Sequence, residues 1–153
     1  MATGLMNGTD LIIKVGTDNT NEVIVASATT CSLEISMDEI DQTNKSSGGW
    51  KQIIGGLRSW SISSEALYQN EEFTTPDARK TFQDFWNHIG DATLGRTSVF
   101  VELSSVGGSA GDNNVYYSGN AFVTSLSVNA GTEDQASYSI SLSGSGELVQ
   151  TAV

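Results

Sequence analysis

Serine and apolar residues alternate along four separate segments of this chain, and only an extended backbone turns that spacing into a coherent object. Successive side chains of a strand point to opposite sides, whereas a helix would scatter the same pattern around its axis. Thr30–Met37 sets Cys31, Leu33, Ile35 and Met37 against Thr30, Ser32, Glu34 and Ser36. Ser59–Glu65 sets Trp60 and Ile62 against Ser59, Ser61, Ser63 and Glu65. Phe122–Asn129 separates Phe122, Thr124, Leu126 and Val128 from Val123, Ser125, Ser127 and Asn129, and Ser137–Ser143 separates Tyr138, Ile140 and Leu142 from four serines. Each segment therefore has an apolar face for a core and an outer face of small hydroxyls with a few carboxylates, without Lys or Arg. An ordinary solvent face of a sheet mixes long charged side chains of both signs. A face of short hydroxyls is a smooth wall, and its carboxylates repel a polyanion. The plainer alternative is a polar surface with a serine bias.

The rest of the pattern is all-β with one helix. Further apolar or alternating runs at Leu11–Val15, Glu22–Ala26 and Thr97–Leu103 are separated by Gly, Asn, Asp and Ser clusters that read as turns. The sole proline, Pro76, follows Thr75 and precedes Asp77, which together make a helix start. Ala78, Phe82, Phe85, Trp86 and Ile89 then form one apolar stripe, so a helix is expected over about 76–89, packing its aromatics on the sheet. At 153 residues the chain is expected to be one domain, a small antiparallel β-sandwich or half-barrel with that helix on its flank. Met1–Gly8 and Gln150–Val153 are expected to be flexible ends in a free subunit.

Little in the chain points to chemistry. Eighteen Asp and Glu against seven Lys and Arg give a net charge of −11, which disfavours gripping nucleic acid or an anionic membrane. No apolar run approaches the ~20 residues that span a bilayer, and no basic segment followed by an apolar stretch marks a secretory leader. The single cysteine, Cys31, falls on an apolar face and reads as a buried thiol. His88, the only histidine, sits at a helix end, where the dipole favours it, rather than in a nucleophile's reach. The glycine-rich run 107–114 lacks the lysine and hydroxyl ending of a phosphate loop and reads as a hairpin tip. Asp38, Glu39 and Asp41 lack the spacing of a calcium loop. The expectation is no enzyme, no metal and no cofactor.

The most distinctive stretch is EIDQTNKSSGGWKQIIGGLRSWS, from Glu39 to Ser61, leading into a strand of alternating serines. With Ile40, Asp41, Thr43, Ser47, Gly48, Gly49, Trp50, Gly56, Leu57 and Ser59 to Ser61 as its anchors, it resembles the major tail tube proteins of long-tailed, non-contractile phages and gene-transfer agents. The helix after it and the closing SYSISLSGSGEL strand stand where that family has them.

That resemblance implies a virion protein whose hexameric rings stack into a hollow tube conducting double-stranded DNA. Four strands from each of six subunits would close a 24-stranded barrel. With strands ~4.8 Å apart and tilted by about 40°, it is roughly 48 Å across at the backbone, leaving a bore of about 40 Å. The tube lining is then expected to be Glu34, Ser36, Ser61, Ser63, Glu65, Ser125, Ser127, Ser139 and Ser141. The connection at about 38–56 is expected to be a long assembly loop, with Asp41, Lys45, Trp50, Ile53, Ile54 and Arg58 contacting the next subunit or ring. Its apolar residues alternatively fold back on their own core. Implied partners are further copies of the chain, a tape measure protein inside the tube, and tail terminator and distal tail proteins at its ends; DNA passes without specific binding. The implied location is the virion tail, with assembly in the host cytoplasm. Two other readings stand: a tube subunit of a contractile tail or type VI-like apparatus, and a carbohydrate-binding β-sandwich, which would more often carry a leader and an aromatic sheet face.

Overall fold

The computed structural model describes residues 11–16, 23–25, 28–68, 79–80, 82–90, 97–105 and 115–152. The strands are β1 (Leu11–Gly16), β2 (Val23–Val25), β3 (Ala28–Asp41), β4 (Ile53–Leu67), β5 (Arg79–Lys80), β6 (Val99–Ser105), β7 (Val115–Asn129) and β8 (Ser137–Ala152), with one helix, α1 (Phe82–Gly90). They form a single sheet in the order β3-β4-β8-β7-β6-β1-β2-β5. Every neighbouring pair is antiparallel except β2 with β5, a short parallel contact.

The sheet rolls onto its apolar side. β1 touches β3 although four strands separate them in the sheet. Ile13, Val15, Val99, Val101 and Leu103 from one end share a core with Trp60, Ile62, Ile140 and Leu142 from the other. The expected sandwich or half-barrel is what forms. α1 closes the core with Phe85, which is fully buried, while the Phe82 ring lies between Tyr68 and Tyr138 at centroid distances of 5.5 and 5.8 Å. On the outer side of β1 and β6, Lys14 donates to Glu102 at 3.1 Å, a directly opposed cross-strand ion pair.

The helix differs from the expected 76–89. Thr75, Pro76, Asp77 and Ala78 lie outside the described residues, and Arg79 and Lys80 are extended because their backbone pairs with Ile24 and Val25. Trp86 and Ile89 are not core residues; they are 51% and 41% exposed. Phe85 and Trp86 are ~100° apart on the helix, so burying the first turns the second outward. The Trp86 indole lies instead over Gly90, where a Cβ would meet it at 2.7 Å. The His88 side chain and the run 107–114 lie outside what is described. Cys31 is partly buried, its sulfur 3.9 Å from the Ser64 hydroxyl.

Three further expectations are corrected. Gln150–Ala152 is not a loose end but the last part of β8, paired with Tyr117, Tyr116 and Val115. The loop at about 38–56 is strand at both ends: Glu39, Ile40 and Asp41 pair with Gly55, Ile54 and Ile53, leaving 42–52 as the tip. In β7 a bulge between Val123 and Ser125 shifts the register, so Val123 faces the core opposite Leu142 while Phe122 emerges on the outer face opposite Ser143. One extra residue reverses every side chain on the far side of it.

Candidate functional site

Cross-strand pairing assembles the four alternating segments into one continuous face. β3, β4, β8 and β7 lie side by side, and their outward residues form transverse rows. One row reads Glu34, Ser61, Ser143, Phe122; the next Ser32, Ser63, Ser141, Ser125; the next Thr30, Glu65, Ser139, Ser127. Ser36 and Ser59 begin a further row toward the hairpin. Glu34, Ser36, Ser61, Ser63, Glu65, Ser125, Ser127, Ser139 and Ser141 all share this face of the sheet.

Hydroxyls tie the wall together. The Ser32 and Ser63 oxygens are 2.5 Å apart and those of Ser36 and Ser59 2.8 Å, so short side chains bond to each other rather than reach outward. Glu34 and Glu65 are exposed and no Lys or Arg stands in these rows. The one apolar exception is Phe122, 38% exposed, placed there by the bulge.

The second element is an arm. β4 pairs with β8 only from Leu67 to Ser61, opposite Ser137 to Ser143. Beyond Trp60, β3 and β4 continue as a two-stranded hairpin. Its apolar residues are bare: Ile35, Met37, Ile40, Ile53, Ile54 and Leu57 are all about half exposed or more, and Trp50 at the tip is 80% exposed. They do not fold back on the core. Isolated two-stranded ribbons with bare apolar side chains are marginal in water.

The tip is nonetheless ordered. The Asn44 side-chain oxygen accepts from the Ser46 amide at 2.9 Å and hydroxyl at 2.6 Å, and the Ser47 hydroxyl accepts from the Asn44 amide at 3.0 Å. Gly48 and Gly49 take φ values of +63° and +85°, which side chains resist, and the Trp50 amide closes the turn onto the Ser47 carbonyl at 3.1 Å. Lys45 rides this turn, Lys51 pairs with Glu39 at 3.2 Å, and Arg58 stands midway along the arm opposite Met37.

Asp41 ends β3 and accepts the Thr43 amide at 2.8 Å. The Thr43 hydroxyl and then its amide hold the Asp41 carboxyl below its ordinary value of 3.8. A depressed carboxyl stabilises the contact above its unfolded value and loses it as pH falls through the folded one. The Thr43 amide NMR resonance is therefore expected to stay fixed from pH 7 to about 5 and to move below about 4. A Thr43 shift already titrating near neutrality would contradict this contact.

The point where β4 leaves β8 was not anticipated. The Trp60 indole fills it, donating from Nε1 to the Gly146 carbonyl at 3.1 Å. A Cβ on Gly119 would meet the indole at 2.7 Å, and one on Gly144 would lie inside it. Glycines inside strands mark such close approaches, and the SGSG stretch at Ser143–Gly146 carried that signal. Among the described residues no three His, Cys, Asp or Glu groups stand close enough to hold a metal ion.

A family model described as phage tail tube protein matches residues 5–150. The fold is similar to that of a chain in the tail of an empty gene-transfer-agent particle with C6 symmetry, at 24% identity and a TM-score of 0.71, covering 97% of this chain and 100% of that one. It is similar to the SPP1 tail tube at 14% identity and a TM-score of 0.70, covering 97% and 80%. It is also similar to a chain in the sheath–tube complex of an extracellular contractile injection system, at 19% identity and 0.66, covering 99% and 95%. No curated protein sequence matches this chain.

Proposed function

The chain belongs to the phage tail tube protein family, and from that premise we propose that six copies form a ring, that rings stack into a hollow tail tube, and that the serine-paved face lines its bore. The observation that carries this reading is the four-strand wall of rows from β3 to β7, short, hydroxyl-bonded and free of cations. Double-stranded DNA is a dense polyanion. A wall with Glu34 and Glu65 and no Lys or Arg offers it no counter-charge, so DNA slides past without being held. The C6 symmetry of the similar gene-transfer-agent tail supports the ring of six.

The arm residues Asp41, Lys45, Trp50, Ile53, Ile54 and Arg58 contact neighbouring copies in this reading. A tape measure protein occupies the tube during assembly, and terminator and distal tail proteins cap its ends. The tube belongs to the virion tail, is assembled in the host cytoplasm, and is not surrounded by a contractile sheath. The subunit serves as a wall and has no catalytic role.

Negative-stain microscopy of the purified protein is expected to show six-fold rings or tubes; a protein that stays monomeric at high concentration would overturn the reading. Particles carrying Glu34→Lys with Glu65→Lys are expected to assemble normally and to eject DNA at least about tenfold more slowly. The two substitutions change the lining by about 24 charges per ring, from repulsion to attachment. Ejection at the normal rate from such particles would remove both residues from the bore.

A further inference from the structure

Phe122 breaks the rule that the rest of the wall keeps. It stands opposite Ser143, in the row that runs on through Ser61 to Glu34, and is 38% exposed. Every other outward residue of that row and of the two beyond it is Ser, Thr or Glu. α1 packs against β7 but does so with Phe85 in the core. The hydroxyl side of β7 stays open, with Phe122, Ser125 and Ser127 all exposed.

The bulge at Thr124 is what turns the ring outward. Without that extra residue, the alternation running back from Ser127 and Ser125 would set Val123 on the wall and Phe122 in the core. With it, the smaller Val123 packs against the core and the larger ring faces out. Burying the phenyl in place of the isopropyl would take more apolar area from water, so folding of the subunit alone does not favour this arrangement. The bulge is nonetheless secured, because the Thr124 hydroxyl donates to the Ser141 carbonyl at 3.1 Å. Re-aiming one side chain is a use to which strands commonly put a bulge.

In the tube reading the bore has two kinds of occupant, and only one can use such a ring. Duplex DNA turns its phosphates outward and its stacked bases inward, so it offers a phenyl no apolar partner. A polypeptide does. A helix is about 10–12 Å across, far narrower than a bore of about 40 Å, so it lies along the wall and meets it with one stripe. The ring calls for apolar residues in that stripe. Glu34 lies in the same row, three strand spacings or about 14 Å away, and Glu65 lies two rows on, so basic residues suit the flanks.

We propose that Phe122 is the grip of the bore on a polypeptide occupant: six rings at each level hold the apolar stripe of a helix with basic flanks, and duplex DNA passes the same rings unheld. This rests on the tube reading above. Its test uses tubes formed by the parent chain, by Phe122→Ser and by Phe122→Leu. Each is assembled with a fluorescein-labelled amphipathic Leu/Lys helical peptide, with a Ser/Lys peptide of equal charge, or with a short DNA duplex. Co-sedimentation should show the Leu/Lys peptide held by parent and Phe122→Leu tubes, and held at least about tenfold more weakly by Phe122→Ser tubes. The Ser/Lys peptide and the duplex should not distinguish the three. A Leu/Lys peptide that parent tubes do not retain, or that Phe122→Ser tubes retain as well, overturns the proposal. Loss of the duplex along with the ring would assign Phe122 to DNA instead. Folded Phe122→Ser subunits that form no tubes would place the ring in a joint between copies. Both results overturn the grip and leave the tube reading intact, whereas a parent chain that forms no rings overturns both.

Discussion

Gly144→Ala is expected to lower the melting temperature of the subunit by about 4–12 °C, a loss of about 2–3 kcal/mol. The new methyl has no free volume to enter: it would overlap the Trp60 indole, which is 6% exposed and tied by Nε1 to the Gly146 carbonyl at 3.1 Å. The indole cannot swing aside, because Gly119 borders its far edge so closely that even a Cβ there would meet the ring at 2.7 Å. Gly144 itself is fixed by pairing with Ala121 in the β7–β8 ladder. Overpacking against backbone on both sides is the costly kind. The Trp60→Ala change removes the obstacle, so in that background Gly144→Ala should cost less than about 0.5 kcal/mol, and the coupling should appear in a double-mutant cycle by thermal or urea unfolding. Equal losses in the two backgrounds would show that the glycine is needed for another reason. The wedge has a purpose beyond stability. It stands where β4 leaves β8, and it lets the arm depart from the wall without opening the core to water.

Those parts of the fold that bury one face were legible in the sequence, and those that bury neither were not. β4 and β8 declare themselves because Trp60, Ile62, Tyr138, Ile140 and Leu142 must all reach one core, which forces period two. The arm buries no face in the single subunit, so nothing obliges Asp38 to Asp41 to alternate, and the strand reads as a loop. The bulge at Thr124 is likewise silent: Phe122 and Val123 are both apolar, and either can be assigned inward until the register against Ser143 and Leu142 is known. Phe85 and Trp86 pose the same problem on the helix, where adjacent aromatics cannot share a narrow stripe. The wall residues were recoverable because serine alternation is a surface constraint running through four strands. The contacts expected of the arm could be written only as a list, since any such geometry depends on copies of the chain that local sequence does not encode.

Trp50→Ala is expected to leave a monomer melting within about 1–2 °C of the parent and to abolish tube growth. Stability is spared because the indole is 80% exposed and touches no part of its own core, and exposed truncations of this kind change folding by less than about 0.5 kcal/mol. Assembly is not spared, because the tip is built to present that ring. Asn44, Ser46 and Ser47 bond the turn to itself, and two glycines in left-handed conformations set the direction in which Trp50 leaves it. A pre-ordered aromatic loses little freedom when it docks, and such anchors commonly carry 2 kcal/mol or more, about a thirtyfold change in affinity per contact. Every subunit in a tube repeats the contact, so the deficit recurs at each addition and growth stops rather than slows. Sedimentation and negative-stain microscopy at matched concentration check this, with Trp50→Phe expected to restore shorter tubes. Full-length tubes from Trp50→Ala would mean that the bare apolar residues behind the tip, Ile53, Ile54 and Leu57, seat the arm without it.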